Sequence, residues 1–497
     1  MAFYSETVTL FLLFTLITVL LKFLSSLRKK ISYKFPPGPT PLPLIGNLHI
    51  LDLKRPDSTF MKLAKTYGSF FTIHFGRKKV VVLVGYDALK EALVNSSYEF
   101  GNRGALPVVD NFQHGEGVIF SNGENWKVTR RFTLSILRDL GMGKRPIEGK
   151  IIEETEHLNN LIQSFEGKPF EKRVFTNAPP NITFGLLFGR RFEYSNPTFM
   201  TMLDLLNDLV ILTTTTPAQF TNVYPILKHV LKTPKIIVQK IDQLNVIYKE
   251  LLMEAKSNTN ESSWTTYTEA FLQKDMEEKV GDGNEKIFHE KNMLASMFDL
   301  MLGGTETTSS TLQWAILLMM KYPDIQKKVH EEIETVIGLE RHPTWDDQKY
   351  LPYCLAVVHE IQRFGNILPS FPHSTLVDTH FRGYFIPKGT QVIPLFASAL
   401  YDETQWETPY RFNPNHFLDA DGKFLKKDAF FPFSKGRRVC VGESLARMEL
   451  FLFFTGMLQK FTFSPPPGVD KADLDLTPDP FFTFRPKPYK VCATPRQ

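Results

Sequence analysis

The stretch Phe433-Ser434-Lys435-Gly436-Arg437-Arg438-Val439-Cys440-Val441-Gly442 sets one cysteine between two glycines. A lone cysteine is most often a small buried hydrophobe, but the surroundings argue for more. Gly436 can take the backbone angles of a tight loop, and Gly442 has no side chain to hold that loop away from a flat surface. Downstream, residues from Ser444 to about Gln459 read as a buried helix, whose partial positive N-terminus favours Cys440 as thiolate. Arg438, two residues before the sulfur, suits an acidic edge. One presented sulfur, a flat approach and a nearby cation suit an iron-bound thiolate.

These ten residues match the haem-binding signature of the cytochromes P450, Phe-x-x-Gly-x-Arg-x-Cys-x-Gly, at every fixed position. The chain resembles that family along essentially its whole length, with a look of the vertebrate microsomal family 2 enzymes and of a fish subfamily among them. The resemblance implies a mainly α fold with small β-sheets (α+β) and an N-terminal transmembrane anchor. It implies haem b (iron protoporphyrin IX) on Cys440 as axial iron ligand, with Phe433, Gly436 and Gly442 shaping the loop beneath it. A thiolate trans to dioxygen favours O–O cleavage, the chemistry of a monooxygenase.

A chain of 497 residues with 43% apolar content can bury a large core, and no internal repeat or long low-complexity run divides it. Only Cys354, Cys440 and Cys492 occur, which argues against a disulfide scaffold and for a reducing compartment. A net charge of +5 does not call for nucleic acid.

The N-terminus carries an uncharged run from Thr7 to Leu21, extended past Lys22 by Phe23, Leu24 and Leu27, then Arg28-Lys29-Lys30. The alternative to a membrane anchor is a cleaved secretory signal. The charges follow the apolar run, and no convincing small-residue cleavage site intervenes, which favours the anchor. Positive charge stays cytosolic, so everything after Arg28 is expected in the cytosol, and the sequons at Asn95, Asn181 and Asn260 are expected to stay unglycosylated. The expected organisation is an anchor over residues 1–27, a basic linker and Pro-rich hinge over 28–47, and a catalytic domain over 48–497. By the resemblance, the protein is a single-pass protein of the endoplasmic reticulum membrane.

Helical periodicity spans about Glu290 to Lys321, ended by Tyr322-Pro323. Its middle, Gly303-Gly304-Thr305-Glu306-Thr307-Thr308-Ser309-Ser310, is poor in helix formers, and each glycine costs about 1 kcal/mol against alanine. Such a lapse marks either close helix packing or a functional site. The resemblance favours the second: it gives the glycines room for dioxygen, and it gives Thr307 and Glu306 the roles of an acid–alcohol pair that manages protons.

Glu360 and Arg363 lie three apart on one helical face with apolar flanks, which suggests a buried pair. They match the family's Glu-x-x-Arg, with His416 in the place of its usual third partner, an arginine. Trp126 and Arg130, an indole donor and a guanidinium at i, i+4, can face one cofactor edge together. By resemblance, Arg438, Arg103 and His373 join them on the haem propionates.

Short β-like runs occur at Phe70 to Phe75, Lys79 to Val84 and between Gly383 and Val392. Two helical stretches, about Thr198 to Leu212 and Thr233 to Ala255, flank a Thr-rich break at Pro217 and match the roof of the family's substrate chamber. The family's pocket segments fall on largely apolar residues, which suits a lipophilic substrate such as a fatty acid, a steroid or a foreign compound. No convincing dinucleotide turn or iron–sulfur cysteine set is present, so electrons come from outside. Lys127, Arg131, Arg138, Lys144, Arg145, Lys435 and Arg437 offer a basic face to an acidic flavoprotein, by resemblance NADPH-cytochrome P450 reductase, with cytochrome b5 optional. Two other classes stay open: a haem-thiolate isomerase working without reductase, and a non-catalytic haem sensor or lipid carrier.

Overall fold

The computed structural model describes residues 15, 16, 18, 19, 35–257, 264–280, 286–480 and 483–496. Apart from Thr15, Leu16, Thr18 and Val19, the anchor expected over residues 1–27 lies outside the described residues, as does the basic linker to residue 34. Among the described residues no helix is long and apolar enough to cross a membrane.

The site is positioned by eight helices: α1 (Gly123–Asp139), α2 (Arg145–Gln163), α3 (Ala178–Phe188), α4 (Pro197–Thr214), α5 (Lys232–Ser257), α6 (Glu290–Lys321), α7 (Pro352–Gly365) and α8 (Glu443–Lys460). Helix α6 coincides with the expected span. Its stretch from Leu312 to Met320, apolar but for Gln313, is wholly buried, as a core helix should be. α3 and α8 lie against it, and α2 packs on α8, so Ile151, Leu158, Phe451 and Phe454 share one core with Trp314 and Leu318.

A five-stranded sheet flanks this helical mass in the order β1-β2-β5-β4-β3, where β1 is Phe70–Phe75, β2 Lys78–Leu83, β3 Asn102–Arg103, β4 His373–Ser374 and β5 Gln391–Pro394. β2 and β5 run parallel, and β3 pairs with β4 so that Arg103 stands opposite His373. The run expected between Gly383 and Val392 divides into Tyr384–Ile386 and β5, because Gly389 turns the chain at φ +76°.

The Pro-rich segment expected as a hinge is docked onto the sheet from Phe35 onward. Thr72 donates its backbone N–H to Pro37 O at 2.8 Å. Buried Asn47 donates to Thr40 O and accepts from His74 N. The roof is also more helical than expected: Thr216–Val223 and a 3-10 turn, Pro225–His229, fill the gap between α4 and α5. Pro217 permits this because it sits in the first helical turn, where no N–H is needed. Asn181 is buried, with its amide bonded to Glu154 and Phe192 O, so that sequon is closed by packing alone.

Candidate active site

The cysteine loop is closed by Cys440 N–H donating to Phe433 O at 3.0 Å. Gly436 is indispensable to it: φ is +79°, and a Cβ there would stand 1.7 Å from Leu93 O. At Gly442 a Cβ would meet nothing within 4 Å, although the residue lines an interior cavity of about 240 Å³. The sulfur's exposure opens into this cavity, whose walls include Phe433, Cys440 and Gly442 on one side and Gly303, Gly304 and Thr307 on another.

The Gly442 N–H at the start of α8 favours the Cys440 thiolate but does not outweigh burial. Burial raises the thiol above its ordinary value, Glu443 at the start of α8 adds to the rise, and the Gly442 N–H, Arg130 and Arg103 only partly oppose it.

Three guanidinium groups crowd the cavity's edge. Arg438 is buried; Nε donates to Gly101 O and one terminal nitrogen to Ser121 O and Asn122 Oδ1, while the other, Nη1, has no partner among the described residues. Its guanidinium lies 3.7 Å from the centre of the Trp126 ring, whose indole N–H is likewise buried and unpartnered. Arg130 donates to Val439 O at 2.5 Å. Among the described residues none of the three makes an ion pair with a carboxylate. Burial, then the neighbouring cations, pulls Arg438 down to about 8 and Arg103 down to about 9.

His373 does not offer a free donor at this edge. Its Nδ1–H donates to Phe100 O at 2.8 Å, which leaves Nε2 to accept from Arg103 at 2.7 Å. Burial and Arg103 push it down to about 3, so it is a neutral prop that aims Arg103.

On α6, the Thr307 hydroxyl donates to Gly303 O at 2.6 Å, one turn back. The two glycines differ. Gly303 is open on its outer side, with only Ile119 at 3.9 Å, whereas a Cβ on Gly304 would lie 2.2 Å from Thr183 Oγ1. Gly304 therefore serves helix packing against α3, and room at the cavity falls to Gly303. Glu306 is half-turned from the chamber: its carboxylate is gripped by Arg485 through two hydrogen bonds, by Thr483, and by Ser310 at 3.1 Å. Arg485 in turn donates to Asn207 of the roof helix α4 at 2.8 Å.

The sequence profile of the cytochrome P450 family matches residues 36–493. Human cytochrome P450 2W1 is 46% identical over 464 residues, covering 93% of this chain and 94% of its own. Cytochrome P450 2K1 of Oncorhynchus mykiss is 46% identical over 496 residues, 99% and 98% of the two chains, and cytochrome P450 2C23 of Rattus norvegicus is 44% identical over 467 residues, 93% and 94%. The chain belongs to the cytochrome P450 family. It is a monooxygenase of family 2 type, and the family implies a haem cofactor.

The residues of this cytochrome P450 fit that group. Two orphaned buried donors, Arg438 Nη1 and Trp126 Nε1, and an uncompensated cationic edge call for carboxylates. The empty approach to Gly442 leaves space beside the cysteine loop for a flat ring.

The scaffold beneath is tightly paired. Arg363 and Glu360, both 0% exposed, form two parallel 2.7 Å hydrogen bonds, and Arg363 also donates to Leu400 O, Pro409 O and Arg411 O. His416 Nδ1 stands 3.2 Å from the Glu360 carboxylate, and its Nε2 lies 2.9 Å from Thr408 Oγ1. Histidine thus takes the third place beside the pair.

Sequence reasoning missed Asp299. Its buried carboxylate accepts from Gln113 Nε2, Val118 N and Ile119 N, each at 2.7 Å, and so straps residues 113–119 to α6. An acidic residue inside an otherwise apolar helical turn, Phe298-Asp299-Leu300, was the available signal. A second chamber beneath α4, lined by Leu106, Phe112, Leu209, Phe298 and Phe484, shares Phe120 and Leu302 with the first. The Phe481-Phe482 turn expected at the pocket lies outside the described residues.

Proposed function

We propose that this cytochrome P450 uses haem b, held by Cys440 as axial ligand, to insert one atom of dioxygen into a C–H or C=C bond of a lipophilic substrate. Bound there, the haem supplies oxygen activation, and the thiolate assists O–O cleavage. Cys440 anchors the iron; Arg438, Trp126, Arg130 and His373-braced Arg103 hold the propionates. Thr307 orients protons at the oxygen side, and Glu306 joins it when Arg485 lets go. Glu360, Arg363 and His416 keep the loop in place. The observation that carries this reading is the single cavity that joins Cys440, three uncompensated guanidinium groups and the Gly303–Thr307 face of α6.

The apolar walls support a lipophilic substrate positioned by packing. Five members of the basic set (Lys127, Arg131, Arg138, Lys144 and Arg145) are exposed, which supports docking of NADPH-cytochrome P450 reductase, with cytochrome b5 as a second donor. Lys435 and Arg437 are partly buried, Arg437 over Tyr98 and Trp126. Exposed Leu42, Leu44 and Ile45 lie beside exposed Ile226 and Val230, joined where Tyr224 Oη donates to Leu44 O. That apolar patch supports a globule resting on the endoplasmic reticulum membrane from its cytosolic side, on a single N-terminal anchor.

The first test is the carbon monoxide difference spectrum of the dithionite-reduced protein, wild type beside Cys440→Ala. A strongly red-shifted Soret band lost in the variant is expected. Its absence from folded, haem-loaded wild type refutes thiolate ligation and leaves the sensor or carrier reading. NADPH consumption with purified reductase then separates the monooxygenase from an isomerase, which turns over without it.

A further inference from the structure

Helix α8 carries Glu443 in its first turn and Glu449 in its middle. Glu449 is buried and accepts the Thr308 hydroxyl of α6 at 3.1 Å. Glu443 is different: it lies three residues beyond Cys440, and its charge disfavours the thiolate. A carboxylate there cancels part of the positive field that the α8 N-terminus directs at the sulfur.

Arg447, one turn further along α8, answers that charge. It donates from Nε at 3.0 Å and from one terminal nitrogen at 2.8 Å to the same oxygen, Glu443 Oε1. Its other terminal nitrogen reaches His359 Nε2 of α7 at 3.1 Å. Leu355 O can only accept, so His359 Nδ1 carries the hydrogen that joins them at 2.7 Å, and Nε2 is left to accept from Arg447. Burial above all, with Arg447 adding to it, pushes His359 down to about 3, so the imidazole is neutral and does not repel the guanidinium. Its ring is wedged among Phe417, Phe424 and Phe430, at 5.5, 4.6 and 5.1 Å between centroids, which keeps the acceptor aimed. The Arg447 guanidinium also lies over the Phe433 ring, 5.0 Å from its centre, and Phe433 O is the acceptor that closes the cysteine loop.

We propose that Arg447 is a positioning residue that sets the reduction potential of the iron: braced by His359, it holds Glu443 and covers Phe433, and so shields the sulfur from the Glu443 charge. This rests on the monooxygenase reading. The step concerned is one electron from the reductase, which turns ferric iron ferrous with no bond made or broken in these side chains. An uncompensated carboxylate beside the sulfur favours the ferric state, which carries one more positive charge, and Arg447 removes that bias. The two side chains are 32% and 34% exposed, so solvent screens the effect without abolishing it.

Potentiometric titration of the haem-loaded protein with dithionite tests this without reductase, so that docking plays no part. Arg447→Gln should lower the equilibrium constant for reduction roughly three- to fivefold, the scale of a solvent-screened ion pair, and Arg447→Lys should restore most of it. Glu443→Gln should raise the constant, and the double variant should return close to wild type. The carbon monoxide complex should follow the same order, because a more electron-rich thiolate lowers the C–O stretching frequency in R447Q and a poorer one raises it in E443Q. An unchanged potential in R447Q overturns the proposal, as does a double variant that stays as low as R447Q. Should R447Q fold poorly, E443Q carries the test, and a potential that is unchanged or lowered there overturns the proposal. Wild type without the thiolate Soret band signals failure of the monooxygenase reading instead.

Discussion

Asp299→Ala should loosen the chamber and the haem edge together. The carboxylate takes three 2.7 Å hydrogen bonds, two of them from the backbone N–H groups of Val118 and Ile119. Orphaning a buried donor costs about 1–3 kcal/mol, so two such groups put the loss at roughly 2–6 kcal/mol, less what water recovers in the new void. The same loop presents Ile119 O to Arg103 and Ser121 O to Arg438, so haem retention should fall with stability. Asp299→Asn keeps one oxygen for the two backbone donors. Gln113 can turn its unpartnered Oε1 toward the new amide, so the cost should stay below about 1 kcal/mol. Urea unfolding followed by circular dichroism and by the Soret band measures both variants, and equal stability of the two would refute the strap.

The pH dependence gives a second arm. Burial raises Asp299 from 3.8 to about 7. Between those values the folded state holds a proton that the unfolded state has released, so stability should fall as pH rises through that window and flatten above it. Asp299→Asn should remove that component, and a wild-type slope no steeper than the variant's would count against the buried acid.

Gly304→Ala should destabilise by roughly 1–3 kcal/mol through overpacking against Thr183, and Thr183→Ala, which removes the clashing Oγ1, should rescue it in thermal unfolding; no rescue would return Gly304 to the oxygen chamber. Gly436→Ala should fail to hold the cysteine loop, whereas Gly442→Ala should fold normally by circular dichroism yet load less haem, and normal loading would show that no cofactor passes there. Arg363→Leu leaves Glu360 charged and buried and three carbonyls without donors, a loss of about 3–5 kcal/mol read as haem-free protein after purification. Thr307→Ala should divert reducing equivalents to hydrogen peroxide while Thr307→Ser should not; equal coupling in the two removes the hydroxyl from proton handling.

The long apolar helix was legible because the pattern from Glu290 to Lys321 is continuous and Pro323 ends it. The Glu360–Arg363 pair was legible because apolar flanks bury whatever lies between them. The hydrogen bonds of His373 were not legible because its partners, Phe100 and Arg103, lie about 270 residues earlier and reach it only through the β3–β4 pairing. Asp299 and Glu449 went unread for a related reason: each is an acid set between apolar neighbours in its helix, and its meaning lies in groups on another element.

By itself the sequence determined the family, the cysteine loop and the helix across the cavity from it, since a loop motif and a helical period are local properties that short spacing records. The tertiary structure alone decided which groups are satisfied. Gly304 packs while Gly303 opens, Glu306 is tied to Arg485, and Arg438 and Trp126 keep donors without partners. Burial and hydrogen-bond satisfaction depend on neighbours far away in the chain, so no local pattern carries them.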